Sequence, residues 1–395
     1  MIRKIEIENF MTLKHVTIDL EPLTVFVGAN ASGKSAVFKA LVTLSKLLNG
    51  TAVRGKGGDF NLEDGVTLDD LVWRGNSGFP IRFRVWLENN ADDNNPTYSL
   101  ELTKRAEGWS VTSEKIRAGG ESIEVDENRS FVHATERQGD KSWKPPLRAT
   151  LRYLVHAFVN DSAARQGIEP ILKLAEGIGH TWRYRPSASD IARFVKTATE
   201  NPLIRGPRPK EGNFYVRENG WGVALLLQRL QGEKREIFTA IENDLRGMFG
   251  HIQTIGFKTD WQGVRLTFMT ERSEDPIPAP QESDGVLLAV FLLWRLYTAG
   301  SSDCICLEEP ENGLHPHLLG DRFDVLKKFA YPEGGKPAVQ ILVATHSREL
   351  LRFVRAHHSA LFNELRVVEF DSSSGSSVTR LSNYRDAHHL LDELG

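Results

Sequence analysis

The chain has 395 residues, with 49 Lys plus Arg against 52 Asp plus Glu and a formal net charge of -3. That length predicts two domains or one core with a large insertion, and the balanced charge excludes a polycation built to coat nucleic acid. Cys304 and Cys306 share one apolar run, which excludes a disulfide framework, and no run of about 18 apolar residues crosses a membrane.

In chain order, "IRKIEIENF" and "HVTIDL" alternate at period two, and "LTVFV" is a continuous apolar run of the kind a buried strand carries. The opening lacks the apolar stretch of a signal peptide, so the expected setting is reducing and cytoplasmic. After the Gly-rich "GANASGKS", the stretch "SAVFKALVTLSKLLNG" places Val37, Leu41, Leu44 and Leu48 at helical spacing and stops at Asn49-Gly50. Residues 51 to 140 are rich in Gly, Asp and Asn and carry strand-like pieces at 81 to 88 and 98 to 104, which predicts an appended antiparallel sheet. Residues 147 to 250 read as mainly helical, through "LRATLRYLVHAFV", "DIARFVKTAT", "VALLLQRL" and "KREIFTAIENDLRGMF". Strands near 252 to 270, a helix from "SDGVLLAVFLLWRLY", and buried strands at "DCICLEE" and "QILVATHS" follow, with a short Ser/Gly turn, "DSSSGSS", at 371 to 377. The expected division is 1–145 with the Gly-rich loop and antiparallel sheet, 146–280 as a helical insertion, and 281–395 as a closing lobe.

Gly28, Gly33, Lys34 and Ser35 satisfy the G-x-x-x-x-G-K-[ST] pattern, between a buried strand and a helix as the motif requires. Glycines let backbone N–H groups close around phosphate oxygens, Lys34 bridges the terminal phosphates, and the Ser35 hydroxyl binds Mg2+. Asn30, Ser32 and Ala36 complete the expected nucleotide-binding set. Ala31 stands where a glycine is common in such loops. Phosphate hydrolysis also needs carboxylates at the end of a second strand. Glu308 and Glu309 follow the apolar "CICL" and precede Pro310; Glu308 is expected to meet the metal and Glu309 to polarise the attacking water. Adjacent glutamates are usually solvated charge, but a buried run before them and a Pro after them mark a strand end. His346, just past "VQILVAT", is read as a gamma-phosphate sensor, and the two cysteines as core packing.

Taken in order, "GANASGKS", "SDG", "LEEPENGLHP" and "ATHS" resemble the phosphate loop, signature, acidic strand with its following loop, and switch histidine of ABC-type ATPases of the RecF/OLD/SMC-like group. "RYRPSASDI" and "ENGWGVALLLQRL" are similar to stretches between the two halves of small OLD-like ATPases. The resemblance implies an α/β head with a P-loop, a mixed core sheet, the appended antiparallel sheet and the helical insertion. It implies ATP and Mg2+ as cofactors, and a homodimer that sandwiches ATP so that Ser283 and Gly285 of one head touch the gamma-phosphate held by the other. Ser283 is independently a good helix N-cap. Neither a long coiled coil nor a C-terminal Toprim nuclease is legible, which points to an effector such as a nuclease supplied in trans, in anti-phage defence or DNA repair, with no membrane partner. The basic pieces "RATLRYL", "HTWRYR" and "IRGPRPK" are candidates for DNA contact, with Trp182 and Tyr184 able to stack. The competing reading is the motor of an ABC transporter, which predicts an "LSGGQ"-type signature where this chain has "SDGV". A GTPase switch would need an N-K-x-D motif, and the chain has no Asn-Lys pair.

Overall fold

A computed structural model describes residues 1–49, 53–54, 60–61, 66–87, 97–106, 108–118, 121–125, 131–133, 178–195, 216–271, 273–311, 318–334, 337–347 and 363–381. The chain is mixed α/β and divides into two units, Met1–Trp182 with Ser302–Cys306 and Ala360–Gly395, and Arg183–Ser301 with Leu307–Ser359.

The first unit holds an antiparallel sheet of seven strands, in spatial order Phe131–His133, Glu121–Val125, Gly108–Ala118, Thr97–Arg105, Ile81–Leu87, Ile2–Phe10 and Leu13–Asp19. The expected appended sheet is therefore continuous with the N-terminal hairpin. Period-two alternation decides its faces: Ile5, Ile7, Phe83, Val85, Tyr98 and Leu100 are buried, while Glu6, Glu8, Arg82 and Arg84 form cross-strand ion pairs on the other side. The strand Leu23–Val27, buried at every position, pairs in parallel with Leu365–Asp371, which returns antiparallel through Gly375–Arg380. The Ser/Gly turn between those last two strands is ordered by Asp371. Its Oδ1 accepts from the backbone N–H groups of Ser373 and Ser374 and from the hydroxyls of both, which holds the carboxyl well below the usual carboxylate range.

The second unit is built around the helix Asp284–Tyr297, on which Gly285 through Leu296 are all buried. An apolar helix 14 residues long reads as a core element and is too short to span a bilayer. Among the described residues no helix is long and apolar enough to cross a membrane. Around it lie the helices Val223–Glu233, Arg235–Met248 and Leu318–Ala330, and a three-stranded sheet of Ile252–Asp260, Gly263–Thr270 and Ser273–Pro278. Asp244 ties three of the helices together by accepting from the Tyr297 hydroxyl at 2.7 Å and from Lys328 Nζ at 2.9 Å.

Two sequence expectations fail here for identifiable reasons. In the described part of the predicted helix "DIARFVKTAT", helix covers Ala188–Ile191 and stops before Val195, which exchanges both backbone hydrogen bonds with Val264 at 2.8 and 2.9 Å; residues 196–199 lie outside the described residues. An apolar pair four apart, Ile191 and Val195, mimics a helix face, but pairing with a strand wins. "HTWRYR" is not an open basic segment either: Thr181–Tyr184 is a strand, Tyr184 packs edge-on to Phe291 at 5.2 Å, and Arg183 pairs with Glu218 at 2.9 Å. Tyr184 is thereby withdrawn from stacking on a base, while Trp182 stays partly exposed. "LRATLRYLVHAFV", "RATLRYL" and "IRGPRPK" lie outside the described residues.

Candidate active site

The phosphate loop occupies the turn from the strand Leu23–Val27 into the helix Lys34–Asn49. Gly28 is there because a Cβ would stand 2.2 Å from the Val368 carbonyl oxygen. At Gly33, φ is +113° and a Cβ would stand 2.2 Å from Ser376 Oγ, so both the conformation and the space demand glycine. The Ser376 hydroxyl donates to the Ser32 carbonyl at 2.7 Å, and the Ser376 N–H donates to the Thr12 carbonyl at 2.8 Å. The loop is thus braced from behind by the C-terminal hairpin and by the turn between the first two strands. Sequence reading missed Thr12 and Ser376, since a contact 344 residues apart leaves no local signal.

Lys34 is buried and donates from Nζ to the carbonyls of Gly28 and Ala29, each at 2.7 Å. Asn30, Ala31 and Ser35 are exposed, whereas Ser32 and Ala36 are buried. The Ser32 hydroxyl is buried and makes no hydrogen bond among the described residues. Ala31 has φ of 63°, in the left-handed region that costs a side chain about 1–2 kcal/mol. The substitution Ala31→Gly is therefore expected to stabilise the chain by about 0.5–1 kcal/mol, after subtracting the entropy glycine adds to the unfolded state. Urea unfolding of the full chain checks this; a midpoint that falls would contradict it.

The acidic strand end belongs to the second unit. Glu308 closes the strand Cys304–Glu308, in which Cys304 and Cys306 are both buried as core packing. Its Oε1 is buried, makes no hydrogen bond among the described residues, and lies 3.8 Å from Arg183 Nε. Glu309 leaves the strand with φ of 47° while its N–H donates to the Ala344 carbonyl at 2.8 Å. Its carboxylate sits between His346 Nδ1 at 3.4 Å and an exposed Arg185 guanidinium at 3.9 Å. Solvent screens the Arg185 pair, which is worth about 0–1 kcal/mol. The side chains of Glu308 and Glu309 thus have different neighbours, as alternation at a strand end predicts.

His346 follows the buried strand Gln340–Thr345. The Thr345 hydroxyl donates to Glu311 Oε1 and accepts from the Ser347 N–H at 2.9 Å, which fixes the turn that carries His346. Burial pushes the Glu311 carboxyl up, against the Thr345 hydrogen bond that lowers it. Glu311 is a third carboxylate of this cluster, and the sequence reading assigned it no role. Its signal was present in "EEPE", two residues after Glu309.

Ser283 caps the helix Asp284–Tyr297, its hydroxyl accepting from the Val286 N–H at 3.4 Å. Ser283 is exposed and Gly285 is buried. A cavity of about 590 Å³ adjoins this helix end, lined among others by Ser187, Arg193, Arg265 and Asp284.

Glu308 by itself offers the chemistry that magnesium takes. Carboxylate and hydroxyl oxygens are the hard ligands that Mg2+ prefers, and Glu308 Oε1 is a buried acceptor without a donor among the described residues.

Comparison with known proteins bears on the family and the fold. Residues 23–352, well over half of the chain, match the AAA_21 model, described as "AAA domain, putative AbiEii toxin, Type IV TA system". No curated protein matches the chain. Among solved structures, the SmcHead bound to the C-winged helix domain of ScpA is 16% identical, with 98% of this chain and 99% of that chain covered at a TM-score of 0.51. A Pyrococcus furiosus Smc head with an extended coiled coil, bound to the C-terminal domain of ScpA, is 14% identical, with coverage of 100% and 99% and a TM-score of 0.45. At 16% identity the likeness to the first of these is one of fold. The matched family, the phosphate loop and the head-like fold together mean that this chain belongs to the AAA_21 family of AAA domains and has the fold of a RecF/OLD/SMC-like ABC-type ATPase head.

Proposed function

We propose that the chain is a Mg2+-dependent ATPase whose phosphate loop and acidic strand end serve one triphosphate, and whose two copies close around ATP. The observation that carries the reading is the folded phosphate loop at a helix N-terminus, with the buried Lys34 amino group already curled over its carbonyls. In this reading Gly28, Asn30, Ser32, Gly33, Lys34, Ser35 and Ala36 hold the phosphates. Backbone N–H groups and the helix end supply positive potential, and Lys34 leaves its two carbonyls for the terminal phosphates. Ser35 and Glu308 would hold Mg2+, which when bound neutralises charge on the phosphates. Glu309 orients the attacking water and accepts its proton, and His346, held by the Thr345 turn, holds the Glu309 carboxylate and senses the gamma-phosphate.

Ser283 and Gly285 are proposed to complete the neighbouring copy's site. Support comes from the capped, exposed helix end that Ser283 provides, whose dipole favours an anion. The coupled output is control of DNA binding or of an effector such as a nuclease in trans, in anti-phage defence or DNA repair. Complementation tests the shared site. Ser283→Arg and Lys34→Ala chains are each expected to be inactive alone, while an equimolar mixture recovers about a quarter of wild-type ATPase. That fraction assumes random pairing, in which half the dimers are mixed and each holds one intact composite site. A mixture as inactive as its components would contradict a site shared between copies.

A further inference from the structure

We propose that Arg183 is the resting counter-ion of Glu308: a positioning residue that balances the buried carboxylate until a divalent cation takes over that charge. The inference rests on the reading of Glu308 as the magnesium-side carboxylate, and it deepens that reading.

Side chains alternate along the strand Thr181–Tyr184. Tyr184 is held in the core by Phe291 at 5.2 Å and by the Arg295 guanidinium at 5.6 Å from its ring. Its neighbours Arg183 and Arg185, two residues apart, meet the two consecutive carboxylates Glu308 and Glu309 at 3.8 and 3.9 Å. The two contacts differ in what surrounds them. The Arg185 side chain is 68% exposed and solvent screens it, whereas Arg183 and Glu308 retain only 16% and 9% of their side-chain exposure.

A buried carboxylate needs a counter-charge. Arg183 supplies it in an unusual form. Its terminal NH2 nitrogen is committed to Glu218 at 2.9 Å, and its Nε faces Glu308 Oε1 at a separation too long for a hydrogen bond. Among the described residues neither Arg183 Nε nor Glu308 Oε1 has a hydrogen-bond partner, although both are buried. The guanidinium therefore balances the charge of Glu308 through space and leaves the lone pairs of Oε1 free. Those lone pairs are what a divalent cation would use. A cation placed there would be repelled by Arg183, so the two compete for one carboxylate. Glu218 keeps Arg183 paired when Glu308 is taken. The alternative is a plain Arg183–Glu218 ion pair with Glu308 as a bystander.

Thermal unfolding of the full chain separates these readings, measured in EDTA, across a Mg2+ titration, and with Mg2+ plus a non-hydrolysable ATP analogue. In EDTA, Arg183→Met is expected to lower the midpoint by about 4 °C in the wild-type background but by no more than about 1 °C in a Glu308→Gln background. The Mg2+ concentration giving half of the thermal shift is expected to fall roughly tenfold in Arg183→Met and to stay near wild type in Arg183→Lys. Equal losses in both backgrounds, or an unchanged Mg2+ requirement, would overturn the proposal in favour of the Glu218 pair. If Arg183→Met does not fold alone but folds together with Glu308→Gln, the coupling is supported; failure in both backgrounds overturns it. Should the wild-type chain show no shift with Mg2+ and analogue, the nucleotide reading fails and the cation exchange with it. A normal wild-type shift with no Arg183 effect defeats this inference alone.

Discussion

The substitution Glu309→Gln is expected to slow ATP hydrolysis by roughly 10²–10³-fold while leaving ATP affinity within about threefold of wild type. Glutamine keeps the shape and the contact with His346 but cannot accept a proton from water. The backbone at Glu309 gives a further reason to expect a specific role, because its φ of 47° is an uncommon conformation for a non-glycine residue and the Ala344 carbonyl helps hold it there. Strain of about 1–3 kcal/mol persists where the surrounding structure over-determines it, and such positions cluster at functional sites. The bound but unhydrolysed state should accumulate as a dimer, visible by sedimentation with Mg2+ and ATP. Wild-type turnover in this variant would remove Glu309 from the mechanism.

Loss of Lys34 should act earlier in the cycle. Lys34→Ala is expected to weaken ATP binding by roughly 10²–10³-fold, the effect of deleting charge-assisted bonds to phosphate in a partly enclosed site. The same change leaves the carbonyls of Gly28 and Ala29 without the amino group they now share, so the ligand-free fold should be checked by circular dichroism. Calorimetric titration with a non-hydrolysable analogue distinguishes the outcomes: weak binding with an intact fold supports the role of Lys34, and wild-type affinity contradicts it.

Much of the local geometry of the candidate site is legible in the sequence because its motifs are local. The phosphate loop needs a fixed spacing between a buried strand and a helix, so Gly28, Gly33 and Lys34 could be named from eight residues. The strand end at Glu308 and Glu309 was legible from an apolar run followed by Pro310. The bracing of the loop was not, since Thr12 and Ser376 reach it from opposite ends of the chain and look like ordinary turn residues. Arg183 was misread as part of a basic segment because its partner Glu218 lies 35 residues away, and only the fold brings the charges together. At Val195, a helical apolar spacing lost to backbone pairing with Val264 that the local sequence does not announce. The Ser/Gly turn at 371 to 377 looked like a simple connector, yet it carries the serine that braces the phosphate loop.

The most direct measurement is a crystal structure of the Glu309→Gln chain with Mg2+ and ATP. The account predicts the triphosphate wrapped by residues 28–35 with Lys34 on its terminal phosphates, the metal between Ser35 and Glu308, and Ser283 of a second copy facing the gamma-phosphate. A nucleotide lodged away from Lys34, or a metal without Glu308 among its ligands, would contradict it.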